Sequence, residues 1–216
     1  MKLSPYRERS LVALWEWAGA MLGRLLYFPY LLRFRLVGRH SGRLHLGCGN
    51  HRLPGWINAD ILPGSDLILF MEYRLPFKDE SLQRIYSEHV LEHVPLEIGI
   101  RFLRDAHRAL ASGGVIRIAM PDLDDLIEGY REDWRRFDWV NWPQHAFIQT
   151  RAEMLNIAFS WWGHKHLSNQ EELLRILNSA GFSEVRFVEP SRSEFTDLCG
   201  LESRADSKLI AEAIKR

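Results

Sequence analysis

The sequence has few cysteines, no excess of charge of either sign and no long uninterrupted apolar run. Its two cysteines, Cys48 and Cys199, argue against a disulfide framework and suit a reducing compartment. The 28 basic residues balance the 28 acidic ones, so no overall field draws the chain to nucleic acid. We therefore expect no nucleic-acid partner. Internal repeats and low-complexity linkers are also lacking.

The N-terminal stretch lacks a clean apolar core followed by small residues, so we expect no cleavable signal peptide. With 46% hydrophobic and 12% aromatic residues, the composition is typical of a globular enzyme and not of a disordered chain. A chain of 216 residues can bury a substantial core as one domain. We therefore expect a cytoplasmic protein with a single main domain.

A glycine turn follows a short apolar stretch near the start of that domain. Residues 43–50 read RLHLGCGN, in which alternating leucines predict a buried strand that stops at Gly47. Gly47 and Gly49 have no Cβ, so the backbone can turn sharply there and approach a ligand closely. A second strand near 56–59 would end at Asp60, whose carboxylate can accept two hydrogen bonds from the hydroxyls of a ribose. A plain strand-ending turn would show the same glycine pattern.

Three further motifs follow in order along the chain. They are LPFKDESL at residues 75–82, RIYSEHVLEHV at 84–94 and ALASGGVIRIAMP at 109–121. With the glycine turn and Asp60, this order resembles that of the class I S-adenosylmethionine-dependent methyltransferases. It is most similar to a small bacterial group whose members are often found among surface-polysaccharide genes. The resemblance covers residues 43–121 and extends more weakly through 162–166 and 180–182.

The resemblance implies a fold, a cofactor and an activity. The fold would be a Rossmann-like α/β domain over residues 41–216, with a mostly parallel seven-stranded sheet of order 3-2-1-4-5-7-6 flanked by helices and an antiparallel strand seven. S-adenosylmethionine would bind at the carboxyl ends of the strands, where the glycine turn and Asp60 meet. The reaction would be methyl transfer to a nucleophilic oxygen, nitrogen or carbon.

The resemblance also implies residues that bind the cofactor. The family pattern places an acidic group near the adenine, shortly before Leu75, where Met71, through its backbone, and Glu72 both fit. Glu88, at the end of the fourth predicted strand, is expected to face the cofactor. The expected cofactor-binding set is Gly47, Cys48, Gly49, Asp60, Met71, Glu72 and Glu88.

Two histidines are candidates for a catalytic base. His89 follows the fourth predicted strand by two residues, so we expect it near the transferring methyl group. An unperturbed histidine titrates near neutrality, which suits proton removal from a hydroxyl acceptor. His164 is the second candidate, because the aromatic segment around it can fold over the same cleft. The alternative is that alignment of donor and acceptor alone supplies the acceleration.

A competing motif occupies the same region. Residues 89–93 read HVLEH, the His-x-x-Glu-His signature of inverted zinc peptidases. On a helix, His89 and His93 would share one face and chelate an ion, with Glu92 as the base. The motif directly follows a strand in a nucleotide-binding order of elements, however, and no third ligand helix is evident. The histidines of His164-x-His166 are more typical of structural hydrogen bonding, so we expect no bound metal.

The first crossover of the sheet is expected to lack its helix. Only ten residues separate Gly49 from Asp60, and Pro54 and Gly55 lie among them. A β-α-β crossover needs at least that many residues, mostly as helix, so we expect a turn instead. Further strands are predicted at 65–70, 84–87, 115–119, 183–188 and 208–213. Helices are predicted at 88–94, along the apolar positions of 98–110, from an N-cap at Asp122 to Tyr130, and from an N-cap at Asn169 to Gly181.

Residues 134–166 form an aromatic-rich insertion without strand periodicity. Its aromatic and histidine residues are Trp134, Phe137, Trp139, Trp142, His145, Phe147, Phe159, Trp161, Trp162, His164 and His166. By resemblance, a segment in this position covers the substrate. The alternative is a hydrophobic packing subdomain.

Residues 1–40 form an N-terminal arm rich in basic and aromatic residues. Apolar residues recur in it at helical spacing, and Pro29 predicts a kink or a stop. Its uninterrupted apolar runs are too short for a transmembrane span. Two interpretations stay open. The arm is either an amphipathic helix peripheral to the inner face of a membrane, or a helix packed on the sheet or over the cofactor cleft.

The sequence thus favours a methyltransferase that acts on a small-molecule, sugar or lipid-linked acceptor. One alternative is a protein that keeps the fold and binds S-adenosylmethionine without turnover, and another is the zinc peptidase. A nicotinamide-dependent oxidoreductase is disfavoured, because the Gly-x-Gly turn lacks a third glycine at the usual spacing.

Overall fold

The computed structural model describes residues 5–37 and 41–216, with side chains for 9–36 and 41–216. Within these residues the chain forms one seven-stranded sheet of order β3-β2-β1-β4-β5-β7-β6, which confirms the predicted topology. The strands are β1 (Arg43–Leu46), β2 (Ile57–Asp60), β3 (Leu67–Ile68), β4 (Leu82–Glu88), β5 (Leu110–Met120), β6 (Glu184–Phe187) and β7 (Leu209–Ile214). The first five are parallel, and β7 lies antiparallel between β5 and β6.

In the part of the chain that the structure describes, five α-helices accompany the sheet. They are α1 (Pro5–Val37), α2 (Leu96–Ala109), α3 (Leu123–Arg131), α4 (Arg151–Ser160) and α5 (Gln170–Ser179). The predicted caps are confirmed. The Asp122 carboxylate accepts a hydrogen bond from the N–H of Asp124 at the start of α3, and the Asn169 side chain accepts one from the N–H of Glu172 at the start of α5.

The main hydrophobic core lies on one face of the sheet. Leu44, Leu46 and Ile85 of the central strands pack there against the apolar faces of α2 and α5. These helices carry their buried residues at i, i+3 and i+4 spacing, so one stripe of each faces the sheet.

The opposite face of the sheet is covered differently. Between β1 and β2 the chain makes turns and no helix, as expected from the short gap. Trp56 from this connection and Leu198 from the β6–β7 connection cover the face instead, packed around Tyr86 and Ile210. A long loop from the C-terminal part of the chain therefore replaces the missing helix.

Three local predictions need correction. The predicted strand at 65–70 is limited to the two residues of β3, and β5 begins five residues earlier than predicted. Residues 88–94 do not form a helix. Glu88 ends β4, His89 has a left-handed φ of 53°, and only the 3-10 turn Leu91–His93 follows before Pro95 and α2. The left-handed residue prevents helix initiation at that point.

Helix α1 runs without interruption through Pro29, contrary to the predicted kink or stop. Pro29 and Leu25, whose carbonyl loses its helical hydrogen bond, both lie on the exposed side, where water can replace that bond. Parts of the predicted arm, residues 1–4 and 38–40, lie outside the described residues. None of the helices described, α1 included, is long and apolar enough to cross a membrane.

Helix α1 packs on the edge of the sheet beside β3. A Cβ at Gly23 would clash with the carbonyl oxygen of Ile61, so a glycine is needed for this close approach. Arg24 pairs with Glu72 at 3.0 Å, and its guanidinium lies 4.5 Å from the centroid of the Phe70 ring. The helix thus covers the segment that immediately follows β2.

A buried charge cluster fixes the β6–β7 connection to the sheet. Arg117 of β5 is fully buried and donates to the carboxylates of Glu202 at 2.6 Å and Glu212 at 2.5 Å, and to the carbonyl of Arg192 at 2.9 Å. A buried cation of this kind is tolerated only with its partners in place. The connection therefore has one permitted position over β5 and β7.

We predict that Arg117→Met destabilises the protein by about 3–5 kcal/mol, because it leaves two carboxylates buried without their cation. Urea unfolding followed by circular dichroism measures the change. Arg175→Met, which breaks the exposed Arg175–Glu172 pair, is the matched control and should leave the midpoint almost unchanged. An Arg117→Met midpoint equal to that of the control would contradict the role given to Arg117.

Candidate active site

The glycine turn and Asp60 meet at the carboxyl ends of β1 and β2, as predicted. Gly47 has a φ of 69°, and a Cβ there would clash with the side chain of Val90. The Asp60 carboxylate accepts hydrogen bonds from the N–H groups of Gly49 at 2.8 Å and Leu62 at 3.0 Å. A Cβ built on Gly49 would meet nothing within 4 Å, so this turn faces open space. The edge therefore offers an exposed backbone turn beside a carboxylate.

Cys48 lies between the two glycines and is buried. Its N–H donates to the carbonyl of Ala59 at 3.1 Å, which extends the pairing of β1 with β2. Burial raises the pKa of its thiol to about 11, so the thiol is protonated at neutral pH and a poor nucleophile. Its contribution to a ligand site would come from the backbone.

Met71 and Glu72 follow β3 and differ in environment. Met71 is buried in the main core. The Glu72 carboxylate is partly exposed and paired with Arg24 of α1, while its carbonyl accepts a hydrogen bond from Arg101 at 3.1 Å. The Glu72 side chain is therefore paired with α1. The cofactor-binding role of Met71 and Glu72 stays a prediction.

Glu88, at the carboxyl end of β4, is held by the β6–β7 connection. Its carboxylate accepts hydrogen bonds from the hydroxyls of Ser203 at 2.6 Å and Ser207 at 2.7 Å, and from the N–H groups of Ser203 at 3.0 Å and Arg204 at 3.1 Å. Burial alone would raise the pKa of Glu88, but these hydrogen bonds outweigh it and lower the pKa. The carboxylate thus fixes residues 203–207, and its predicted contact with a cofactor stays a prediction.

His89 follows Glu88 in the left-handed conformation. Its N–H donates to the carbonyl of Ala119 at 2.9 Å, and its Nε2 lies 3.7 Å from the Asp206 carboxylate. Its Nδ1 is 3.3 Å from a carboxylate oxygen of Glu92. Burial lowers the pKa of His89 to about 4, so the imidazole is neutral at neutral pH.

A compact cluster of Glu92, His93 and His164 lies next to His89. One ligand atom from each residue lies within 4.8 Å of the others. Burial raises the pKa of Glu92 to about 8 and lowers the pKa of His93 to about 4, and it also lowers the pKa of His164. The geometry assumed for a peptidase, two histidines one turn apart on a helix with Glu92 as base, is absent from this described segment. The third group comes instead from the aromatic insertion.

His89 and His164 both line a cleft of about 660 Å³. Aromatic, basic, acidic and histidine side chains share its wall. They are Phe137, Trp139, Trp142 and Trp162; Arg9, Arg136, Arg204 and Lys208; Glu16, Asp122, Asp125, Asp138 and Asp206; and His89, His93 and His164. The insertion contributes most of the aromatic wall, while it also packs on α3 in a core of its own. Both interpretations of residues 134–166 therefore have a structural counterpart, and substrate covering stays a prediction.

One wall of this cleft was not predicted from the sequence. Ser203, Arg204, Asp206 and Lys208 come from the β6–β7 connection, which carried no motif. Glu88 was the one indication that another segment lies there, because a buried carboxylate at a strand end requires hydrogen-bond donors from elsewhere in the chain. Arg9 and Glu16 of α1 were missed as well, and they line the same cleft.

Comparison with known proteins agrees with the fold. A family model described as a methyltransferase domain matches residues 58–118, from β2 to β5. A SAM-dependent methyltransferase from Thermotoga maritima, described as a possible histamine N-methyltransferase, is 17% identical; the alignment covers 96% of this chain and 97% of that one, with a TM-score of 0.50. A SAM dependent methyltransferase from Archaeoglobus fulgidus is also 17% identical, over 91% and 93% of the two chains, with a TM-score of 0.49. No curated protein sequence matches the chain.

At this level of identity the structural likeness to the Thermotoga protein shows the fold, a Rossmann-like methyltransferase architecture. The family match concerns the amino-acid sequence itself, over residues 58–118. It includes Asp60, the Leu-Pro-Phe loop and the turn after β4, but not the glycine turn at residues 43–50, which also carried the resemblance. The matched region and the strand order both agree with the Rossmann-like fold that the resemblance implied.

Proposed function

We propose that the protein transfers a methyl group from S-adenosylmethionine to a polyhydroxylated small molecule or glycan bound in the aromatic cleft. The observation that carries the proposal is the position of the glycine turn and Asp60 at the carboxyl ends of adjacent parallel strands. This is where ligands bind in open α/β sheets. The match of residues 58–118 to a methyltransferase domain supports the reaction class.

The residues at the turn fit the cofactor. Its ribose hydroxyls can donate to the Asp60 carboxylate, and the open space at Gly49 leaves room for a ligand against the backbone. When bound, S-adenosylmethionine supplies an electrophilic methyl group on a positively charged sulfur. The chain contributes positioning, which is the main source of acceleration when donor and acceptor must be aligned.

The cleft suits an acceptor with many hydroxyl groups. Trp139 and Trp162 meet edge to face, with ring centroids 5.1 Å apart, and Trp142 is 45% exposed at the cleft. Such rings offer flat apolar contact to a ligand, while the neighbouring carboxylates and guanidinium groups can bond hydroxyls. A glycan acceptor agrees with the resemblance to enzymes found among surface-polysaccharide genes.

His89 is proposed as the base for a hydroxyl acceptor. Its imidazole lines the cleft at the end of β4, and no hydrogen-bond donor among the described residues occupies its Nε2. His164, the second candidate, already has its Nδ1 2.7 Å from the carbonyl of Ala158. His89 is therefore the better placed of the two to receive a proton, although burial makes its imidazole a weaker base than the near-neutral one expected from the sequence.

We also propose that α1 lies on a membrane that contains anionic lipid. Its face away from the sheet is a continuous apolar stripe of exposed residues: Leu11, Leu14, Trp15, Met21, Leu22, Leu25, Phe28, Leu32 and Leu36. Monomeric proteins rarely expose so large an apolar patch without a partner. Arg33 and Arg35 are exposed near its end, and basic residues beside Trp, Phe and Leu are typical of interfacial helices.

For the cofactor, we predict that the protein binds S-adenosylmethionine and not NAD. Asp60→Ala should weaken binding by about 1.5–3 kcal/mol, roughly 10- to 150-fold in Kd, because hydrogen bonds to a charged group are lost. Titration calorimetry measures both ligands. Asp79→Ala, at the opposite end of the sheet near the start of β4, is the control and should bind normally. No heat with S-adenosylmethionine would refute the proposal.

For the acceptor, we predict that labelled methyl groups from S-adenosylmethionine appear in glycan or lipid-linked material from the source cells. Trp142→Ala should raise KM for the acceptor about 3- to 10-fold with little change in kcat, because it removes stacking area and no reacting group. Phe159→Ala, which changes an exposed ring of the insertion that does not line the cleft, is the control. Cofactor binding without any methylated product would instead indicate a protein that binds without turnover.

For the membrane, we predict that the full chain sediments with liposomes that contain anionic lipid and is partly released by high salt, which screens the basic residues. Trp15→Glu combined with Leu25→Glu should abolish sedimentation. Leu174→Glu, at an exposed leucine of α5, should have no effect. Equal recovery in the supernatant with and without liposomes would contradict the membrane role.

A further inference from the structure

The cluster of Glu92, His93 and His164 is not used by the proposed methyl transfer. It lies between the 3-10 turn after β4 and the insertion, beside the cleft. The rings of His93 and His164 meet at 67°, with centroids 4.9 Å apart, and the ligand atoms of all three residues lie within 4.8 Å of one another. Carboxylate and imidazole groups at this spacing are the donor set of many metal sites.

Glu92 is the unexplained member of the cluster. Its side chain is fully buried, and neither carboxylate oxygen has a hydrogen-bond partner among the described residues. His89 lies 3.3 Å away without the alignment that a hydrogen bond requires. A buried carboxyl group without hydrogen-bond partners is costly whether or not it is ionised, and it needs a partner of another kind. A cation between Glu92 and the two imidazoles would be that partner.

His164 is prepared for ligation. His164 Nδ1 lies 2.7 Å from the carbonyl of Ala158, which places the proton on Nδ1 and leaves the lone pair of Nε2 free. Metal-binding histidines characteristically donate their other ring N–H to a carbonyl or carboxylate that orients the ring in this way.

Backbone hydrogen bonds hold the two segments of the cluster together. The carbonyl of Glu92 accepts from the N–H groups of Lys165 at 2.7 Å and His166 at 3.2 Å. The turn that carries Glu92 and His93 is therefore attached to the residues that directly follow His164. An ion bound about 2.1 Å from each donor would need the ligand atoms about 3.4 Å apart, a small closure of side chains that the backbone already brings together.

We propose that Glu92, His93 and His164 bind a divalent transition-metal ion. Two imidazoles and one carboxylate favour zinc or a neighbouring first-row metal over Mg²⁺ or Ca²⁺, which prefer oxygen ligands. His89, His93 and His164 line the cleft, so an open coordination position would face the acceptor. The further role, holding an acceptor oxygen, rests on the proposed function, whereas metal binding does not.

The test uses the tag-free full chain, stripped with a chelator and then titrated with Zn²⁺, Co²⁺ and Mg²⁺ in the absence of S-adenosylmethionine. We expect one saturable zinc site per chain, a visible Co²⁺ spectrum and much weaker Mg²⁺ binding. Glu92→Gln and His164→Ala should each weaken zinc binding by more than the roughly 10- to 100-fold typical of lost outer-shell partners. His166→Ala is the matched control, since its side chain pairs with Glu172 outside the cluster.

No saturable zinc binding to the wild-type chain would overturn the proposal, and so would zinc binding that neither variant weakens. If Glu92→Gln does not fold, as judged by circular dichroism, the comparison of the Co²⁺ spectra of the wild type and His164→Ala tests the metal site instead. The two proposals fail separately. S-adenosylmethionine binding without a zinc site would refute the metal site alone. A zinc site without methyl transfer would refute the proposed reaction alone.

Discussion

The hydrogen bonds that Glu88 accepts from residues 203–207 fix one wall of the cleft at the carboxyl end of β4. Glu88 stands at the carboxyl end of the central strand β4, where a buried carboxylate requires donors. Ser203, Arg204 and Ser207 supply them, and Arg117 fixes the same connection one strand away through Glu202. Without these contacts the cleft would lose the wall that carries Asp206.

Helix α1 links the two halves of this edge. Near its C-terminal end, the Tyr30 hydroxyl accepts a hydrogen bond from the N–H of Gly64, close to the loop after Asp60. Near its N-terminal end, Arg9 donates to the carbonyl of Trp161 at 2.7 Å and lines the cleft. One helix therefore contacts both the cofactor edge and the aromatic insertion.

The parts of the fold that depend on local chemistry could be predicted from the sequence. The N-caps at Asp122 and Asn169 and the helix-free crossover follow from short motifs and their spacing, whereas the strand order was implied by the family resemblance. The contacts of Glu88 could not be predicted, because its partners lie more than a hundred residues away in a loop without a motif. The continuation of α1 through Pro29 depends on which side of the helix is exposed, which only the packing decides.

The candidate site also has one part that could be predicted from the sequence and one that could not. The glycine turn and Asp60 are adjacent to one another because neighbouring parallel strands end together, so their meeting could be deduced from the sequence. The meeting of His93 with His164 could not, since it depends on how the aromatic insertion folds back onto the turn after β4. The HVLEH motif predicts a helix with both histidines on one face. The left-handed φ of His89 instead leads into the 3-10 turn Leu91–His93.

The most direct test of the central claim is a crystal structure of the full chain with S-adenosylhomocysteine, the demethylated form of the cofactor. The account predicts ligand density at the carboxyl ends of β1, β2 and β4. Its ribose hydroxyls should lie within hydrogen-bond distance of Asp60, and its backbone contacts should come from the turn at Gly47 to Gly49. Ligand bound elsewhere, or a turn left empty at saturating ligand, would contradict the account.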